Sequence, residues 1–389
     1  MKSFRAAVIG TGFIGPVHVE GLRRAGVEVA ALIGSNPQKT RAACQRWGIA
    51  PDHDSLESVL GDASIDAVHL TTPNQLHYPQ VQAVLQAGKH VLCEKPLAVD
   101  SRQSAHLVQL AKDSGVAAAV AYNIRFYPLC HEARARIQQG VVGELFHVTG
   151  SYVQDWLLKA TDFNWRVLAE EGGALRAVAD IGTHWLDLVQ FITDQKIVSV
   201  CADLQTVHPQ RHRPVGGSQT FAGEATVAER GPSQPTKIQT EDAGAVLLRL
   251  ANGARGVLWV SQTTAGRKNC LRFEIAGAEQ SLAWNSESPN QLWIGHRDAP
   301  NQSLIRDPSL LQASASQIAD YPGGHNEGFP DTFKQLFRQF YQYIEVGDLA
   351  AAAPFPTFAE GHYEILLCEA ILQSHQQRGW VTVGGKGEG

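Results

Sequence analysis

Two well-separated stretches of this chain carry groups able to handle protons beside a reacting carbon: Glu94-Lys95-Pro96 and Asp180-Ile181-Gly182-Thr183-His184. A lysine ammonium held in a site sealed from water favours a developing alkoxide over the neutral alcohol, and so acts mostly in the transition state. Pro96 confines Lys95 to extended backbone, and X-Pro is the one peptide bond that readily turns cis, which widens the directions in which the ammonium can be aimed. If Asp180 to Phe191 is helical, Asp180 and His184 stand four apart on one face, where the carboxylate orients the imidazole and stabilises its protonated form. A general base working near neutral pH requires that arrangement. Each stretch also has a plainer reading: a strand end with a surface lysine, and a helix capped by Asp180 with His184 packed in the core.

A third pattern supplies a redox partner. Val8-Ile9-Gly10-Thr11-Gly12-Phe13-Ile14-Gly15 follows an apolar run and precedes helix-like sequence, the setting in which G-x-G-x-x-G cradles a dinucleotide. Gly10 permits the tight turn, Gly12 lets backbone amides approach a pyrophosphate, and Gly15 lets the helix pack on the strand. After the second strand the chain has Gly34-Ser35 in place of the Asp or Glu that would hold ribose hydroxyls, with Lys39 and Arg41 close behind. This predicts a preference for NADP(H), with NAD also possible, unless Lys39 and Arg41 are only a solvated helix face. Gly34→Asp is then expected to raise the Michaelis constant for NADP and improve the use of NAD.

The elements that must position these groups follow from periodicity. Val27–Ile33, Ala67–Thr71, His90–Cys93 and Val116–Ala121 read as strands, and helices start at Asn36-Pro37, run over Tyr78–Ala87 to Gly88, and run from Asp100-Ser101 to Gly115. That alternation predicts an α/β fold, a doubly wound parallel Rossmann sheet over residues 1–124. Runs at Leu145–Tyr152, Ala245–Leu250, Gly256–Gln262, Leu271–Ile275 and Ser281–Trp284, with a hairpin signal at Asn252-Gly253, predict an antiparallel meander. Residues 125–389 are therefore expected to form an α+β domain with a large, mainly antiparallel open sheet for substrate binding and oligomerisation. Residues 205–240 read as a long excursion from that sheet, and a late helix at about 359–374 is expected to return to the Rossmann domain.

With 389 residues, 44% hydrophobic and 18% charged, the chain has room for two packed domains, and its net charge of -5 offers no basic field for nucleic acid or anionic membrane. Six cysteines without a C-x-x-C pair suggest neither a disulfide framework nor a metal site. No apolar stretch has the length of a signal peptide or a bilayer span, so a cytoplasmic location is expected. An apolar sheet face left uncovered would pair with another copy, predicting a homodimer or homotetramer.

Together, the glycine turn, Thr72-Pro73-Asn74-Gln75-Leu76-His77, Glu94-Lys95-Pro96 and the Gly173–Asp187 block resemble the Gfo/Idh/MocA family of nicotinamide-dependent sugar and polyol oxidoreductases. Tyr152-Val153-Gln154-Asp155-Trp156, Trp165-Arg166 and the Gly172 block look like its levoglucosan dehydrogenase branch, from which Tyr321-Pro322-Gly323-Gly324-His325 departs. The resemblance implies that Lys95, Asp180 and His184 surround the reacting carbon, an ammonium from one half and an imidazole from the other meeting before the nicotinamide. With the glycine turn and the Gly34-Ser35 position read above, the expected coenzyme set is Gly10, Thr11, Gly12, Phe13, Ile14, Gly34, Ser35, Lys39, Thr72, Pro73, Asn74, His77, Glu94, Lys95 and Pro96. Substrate hydroxyls are expected to meet Lys95, Asn123, Arg125, Gln154, Asp155, Trp156, Trp165, Asp180, His184 and His325, with no metal. The expected activity is hydride transfer between a ring hydroxyl carbon of a sugar, glycoside or cyclitol and the nicotinamide. A nicotinamide-dependent glycosidase working through a transient keto-sugar, or a non-catalytic sugar or dinucleotide sensor, would use the same fold.

Overall fold

The alternating apolar and helical stretches at the start of the chain become β1 (Arg5–Ile9), α1 (Ile14–Arg24), β2 (Glu28–Ile33), α2 (Pro37–Trp47), α3 (Leu56–Gly61), β3 (Ala67–Leu70), α4 (Asn74–Gln86), β4 (His90–Cys93), α5 (Ser101–Ser114) and β5 (Ala118–Val120). These come from a computed structural model, which describes residues 3–215 and 232–385. The five strands pair in parallel in the order β2-β1-β3-β4-β5. Ala7, Ile9, Val68, Leu70, Val91 and Cys93 bury their side chains between sheet and helices, as a parallel sheet covered on both faces demands. Local chemistry sets the helix ends. Asn36 accepts the Lys39 N–H at 2.9 Å with Pro37 in the first turn, Asp100 accepts the Gln103 N–H at 2.8 Å, and α2 and α5 stop at Gly48 and Gly115 in left-handed conformation. α4 starts earlier than the helical pattern predicts, at Asn74, and contains Pro79, whose missing N–H falls inside the helix.

Beyond Asn123 the chain continues through α6 (Pro128–Gln138), β6 (Leu145–Val153), a single turn α7 (Ala169–Gly172), α8 (Thr183–Thr193) and β7 (Ile197–Gln205). The expected excursion holds β8 (Gln210–Pro214) and β9 (Ser233–Lys237), which pair antiparallel as a ribbon of their own; its residues 216–231 lie outside the described residues. Then come β10 (Ala243–Leu250), β11 (Arg255–Ser261), β12 (Cys270–Gly277), β13 (Ser281–Asn285), β14 (Gln291–Gly295), β15 (Gln302–Ile305), a short turn α9 (Ala313–Ser316), α10 (Phe329–Val346), α11 (Phe358–Gln377) and β16 (Val381–Thr382).

The large sheet has the order β15-β14-β13-β12-β6-β11-β10-β7-β16. It corrects the simple meander: β6, laid down early, is inserted between β12 and β11 and runs parallel to β11, while its other neighbour is antiparallel. Two hairpins therefore flank an earlier strand, which an apolar pattern alone cannot reveal because pairing partners are non-local. One face packs on α8. Gly150 is required there, since a Cβ would lie 2.4 Å from the Trp185 indole nitrogen, and Trp185 is fully buried and donates to the Arg272 carbonyl at 2.8 Å. Leu247, Trp259 and Trp293 alternate to the opposite face and stay exposed.

The chain divides into two compact units, the first comprising residues 1–123 with 330–365 and the second most of the remainder. The segment belonging to the first unit thus begins with α10, earlier than the late helix read from the sequence, and α11 is shared between the units. Among the described residues, no helix is long and apolar enough to cross a membrane.

Candidate active site

Every parallel strand of the first unit ends on the same edge, and the sequence-predicted coenzyme residues gather there. The Gly10 N–H donates to the Ile33 carbonyl at 2.8 Å, joining the ends of β1 and β2. Thr71, just past β3, donates its N–H to Ile9 and its hydroxyl to the Ile9 and Gly10 carbonyls at 3.0 and 3.1 Å. Gly10 has φ +119, and a Cβ on it would sit 2.4 Å from Thr71 Oγ1. A Cβ on Gly15 would fall 2.1 Å from the Gly10 carbonyl, so these two glycines let the turn and helix close on each other. Gly12 differs: nothing lies within 4 Å of its Cβ position, and the space it leaves is open.

The first turn of α1 has neither an acidic residue nor a side-chain cap, and the same holds for α4. Uncapped amide N–H groups and the positive end of the helix dipole suit an anion. A dinucleotide's pyrophosphate therefore fits the cradle formed by Gly10, Thr11, Gly12, Phe13 and Ile14.

Three more segments border this edge. Gly34 N–H donates to Thr40 Oγ1 at 2.9 Å, and exposed Lys39 Nζ lies 3.2 Å from Ser35 Oγ. Buried His77 spans two loops, its Nε2 2.8 Å from the Thr72 carbonyl and its Nδ1 2.7 Å from the Pro96 carbonyl. Burial pushes its pKa down, against the opposing pull of those carbonyls and Glu94. Thr72, Pro73, Asn74 and His77 are thus tied to Glu94-Lys95-Pro96 through one imidazole. The Lys95-Pro96 bond is cis, and the Lys95 N–H donates to Glu94 Oε2 at 3.2 Å. Asn123, at the last residue of this unit, is buried and donates its amide to buried Thr332 of α10 at 2.7 Å.

The second unit carries the other cluster. Asp180 lies in a π-helical turn, Val178–Gly182, and the α-helix proper begins only at Thr183. The widened turn means that an i, i+4 alignment of Asp180 with His184 no longer follows from their spacing. The surroundings of Asp180 are specific. Gln262, fully buried, donates Nε2 to Asp180 Oδ2 at 2.8 Å, and Arg166 Nε lies 3.4 Å from Asp180 Oδ1. Arg176 Nη1 donates to Gln262 Oε1 at 3.2 Å, and because a guanidinium can only donate, it fixes which end of the Gln262 amide faces Asp180.

Arg176 is itself held by Asp242, which it shares with Arg211, all three side chains fully buried. Burial works against the charge of Asp242, but Arg176, the His208 amide and Arg211 outweigh it and hold its carboxyl below the usual range. Glu241 accepts the backbone N–H groups of Arg176 and Val178 at 2.9 and 2.8 Å, anchoring the start of the π-turn; burial raises its pKa despite them.

His184 is 8% exposed, next to anchoring Trp185, with the Tyr152 ring 6.2 Å away. Burial raises the Tyr152 pKa first, with the charge of Asp180 among the smaller causes. Tyr152 donates to Asn269 Oδ1 at 2.7 Å; Gln154 Nε2 donates to the same oxygen at 2.8 Å, and Trp156 Nε1 donates to Gln154 Oε1 at 2.8 Å. Half-buried Trp165 carries the Arg166 guanidinium 4.5 Å over its ring. Asp155 accepts from Lys268 Nζ at 2.8 Å and from the Gly266 N–H.

Two predicted substrate residues have other engagements. Buried Arg125 forms a two-pronged pair with Asp187 of α8 over the Phe191 ring, which ties the turn after Asn123 to that helix. His325 is exposed, on a loop whose carbonyls are gathered by Arg306, and its ring reaches the Gly323 carbonyl at 3.4 Å. Tyr152 and Arg176 lie in motifs read from the sequence but are not among the expected site residues, and Asn269 and Gln262 are not singled out at all. Period-two alternation could have placed Tyr152 with Gln154, but nothing local marks Gln262 as a partner of Asp180. No cluster of His, Cys, Asp and Glu able to hold a metal occurs among the described residues.

Comparison with known proteins finds matches to both domains of the chain. Residues 4–122 match the oxidoreductase family model with NAD-binding Rossmann fold, and residues 130–283 match the GFO/IDH/MocA C-terminal domain. Levoglucosan dehydrogenase of Pseudarthrobacter phenanthrenivorans is 28% identical over 98% of this chain and 99% of its own. A structure of levoglucosan dehydrogenase in complex with NADH and L-sorbose superposes with a TM-score of 0.87 at 26% identity, covering 99% and 100% of the two chains. An inositol dehydrogenase homologue complexed with NAD+ from Azotobacter vinelandii gives 0.84 at 26% identity, covering 98% and 97%. With its cradle built on uncapped helix ends and both of its domains matched, the chain belongs to the GFO/IDH/MocA oxidoreductase family.

Proposed function

We propose that the protein is a nicotinamide-dependent dehydrogenase that oxidises a ring hydroxyl of a sugar, glycoside or cyclitol. The observation that carries this reading is Lys95 on the same strand-end edge as an anion cradle, in a chain similar over its full length to a levoglucosan dehydrogenase. Bound at the cradle, the nicotinamide supplies a hydride acceptor. Gly10, Thr11, Gly12, Phe13 and Ile14 hold the pyrophosphate, while Thr72, Pro73, Asn74 and His77 order the loop beside it. In the reaction the carbinol C–H and O–H bonds break as C=O forms, and the hydroxyl proton passes to His184. Lys95 stabilises the alkoxide as it develops. Asp180, contacted by Gln262 and Arg166, is the carboxylate assigned to steady the protonated imidazole. Gln154, Trp156 and Trp165 serve recognition, the indoles offering flat apolar faces to a pyranose.

We assign the coenzyme preference to NADP(H). The two solved relatives carry NADH or NAD+; the assignment for this chain rests on Gly34-Ser35 in place of a carboxylate and on Lys39 beside Ser35. The partner on the open sheet face is a second copy of the chain, received by Leu247, Trp259 and Trp293. Six free thiols are consistent with a reducing cytoplasm.

The test is a panel of pyranosides and cyclitols with both coenzymes, run on the wild type, Lys95→Met and His184→Ala. The wild type should form reduced coenzyme with at least one sugar, and each variant should lose at least about a hundredfold in kcat with coenzyme binding retained. Near-normal turnover in both variants contradicts the assignment.

A further inference from the structure

Beneath the edge that carries Lys95, four buried polar side chains from four segments of the first unit stand in line. Glu94 Oε1 lies 3.1 Å from His18 Nε2 of α1. His18 Nδ1 lies 3.1 Å from His69 Nδ1 of β3, and His69 Nε2 lies 3.0 Å from the Tyr341 hydroxyl of α10. The second carboxylate oxygen of Glu94 is the one that accepts the Lys95 N–H. Both imidazoles are fully buried. The Phe337 ring packs 4.9 Å from His18 and 4.7 Å from His69, with Phe333 5.5 Å from His18.

Counting protons gives the chain a direction. A carboxylate only accepts, so His18 presents Nε2–H to Glu94. With one proton on the ring, its Nδ1 is bare and must be faced by a donor, so His69 carries its proton on Nδ1. The bare Nε2 of His69 then takes the Tyr341 O–H. Counted with one proton on each ring, each link is donor to acceptor. Burial and the neighbouring His18 hold the His69 pKa well below its ordinary value, in keeping with a neutral ring.

We infer that this line is a directional hydrogen-bond device that holds the Glu94 carboxylate in the orientation whose second oxygen accepts the Lys95 amide, making His18, His69 and Tyr341 positioning residues for Lys95. The inference rests on Lys95 being the alkoxide-stabilising residue. With one proton on each ring, the device has one alternative polarity. If the group at position 94 turned a donor toward His18, both ring protons would have to move, His18 to Nδ1 and His69 to Nε2, and Tyr341 would become an acceptor.

The experiment uses the full chain without coenzyme, isotope-labelled at histidine nitrogen, with ring tautomers read from long-range proton–nitrogen correlation spectra. His18→Asn and His69→Asn assign the two signals, and perturbation by Tyr341→Phe assigns His69 should those variants not fold. The wild type should show His18 protonated on Nε2 and His69 on Nδ1. In Glu94→Gln the amide oxygen must still accept the Lys95 N–H, which turns the NH2 toward His18, so both tautomers should switch together. His69 does not touch position 94, so a purely structural role gives it no reason to respond. A wild-type His69 protonated on Nε2, or a His69 signal indifferent to Glu94→Gln, overturns the device. Tyr341→Phe removes the terminal donor while keeping the ring; kcat should fall about three- to tenfold with the coenzyme dissociation constant unchanged, and an unaltered kcat overturns the positioning role. Should no sugar turn over at all, the reading of Lys95 fails separately. The tautomers, with the Lys95 amide resonance in Tyr341→Phe, then still decide the device, a shifted resonance supporting it and an unmoved one overturning it.

Discussion

Removing the Lys39 ammonium should change which coenzyme the protein prefers. Lys39 Nζ lies 3.2 Å from Ser35 Oγ, on an exposed edge immediately after β2. An ammonium about 4 Å from a ribose phosphate of charge near -2 gains roughly 2 kcal/mol in water-like surroundings, before screening by salt. Lys39→Ala should therefore weaken NADP about tenfold to thirtyfold and NAD less than about twofold. Ser35→Asp sets a carboxylate against the same phosphate and should move the preference further toward NAD. Gly34→Asp, the substitution suggested by the sequence, is not a clean probe. Its Cβ would sit 2.9 Å from Lys39 Cβ and 3.0 Å from the Thr40 nitrogen, disturbing the turn whatever the coenzyme. Tryptophan-fluorescence titrations with both coenzymes at low and high salt give the two dissociation constants. An unchanged ratio in Lys39→Ala, or a ratio insensitive to salt in the wild type, would refute the reasoning.

Three further outcomes follow from the geometry. Gly12→Ala meets open space and should keep its thermal midpoint while losing coenzyme affinity, whereas Gly15→Ala drives a Cβ into the Gly10 carbonyl and should lose both; calorimetry with coenzyme titration separates them. Gln262→Leu strips Asp180 and buried Arg176 of one hydrogen bond each, costing about 2–4 kcal/mol, which calorimetry should register as a midpoint lower by about 5–10 °C. A midpoint within about a degree of wild type would show that the amide does not link them. Trp259→Glu with Trp293→Glu puts charge on the exposed sheet face, and light scattering should find an oligomer for the wild type and monomers for the variant; an assembly unchanged by both would remove that face as the interface.

The parallel half of the fold was legible because its signals are local. A glycine turn between strand and helix, an Asn36 cap followed by Pro37, and Gly115 at a helix end each act within a few residues. The large sheet was only partly legible: alternation identifies β6 and β11 as strands but carries no information about their becoming parallel neighbours. The site divides the same way. Gly10 follows β1 and Lys95 follows β4 on one strand-end edge, because open α/β sheets collect their loops there. The spacing of Asp180 and His184 led to an α-helical face, and a π-turn anchored by Glu241 replaced it, through contacts far away in sequence. Arg125 and Asn123 looked like polar residues available to a substrate. Their pairing with Asp187 and Thr332 meets the demand that buried polar groups be hydrogen-bonded, and depends on residues far away in sequence.

The most direct measurement of the proposed reaction uses a substrate sugar carrying deuterium at the oxidised ring carbon, with the coenzyme product analysed by mass spectrometry and NMR. A hydride-transferring dehydrogenase places one deuterium on the nicotinamide for each keto-sugar formed, with a slowed rate in single turnover. Deuterium found in water, or an aglycone released with no reduced coenzyme, would contradict the account.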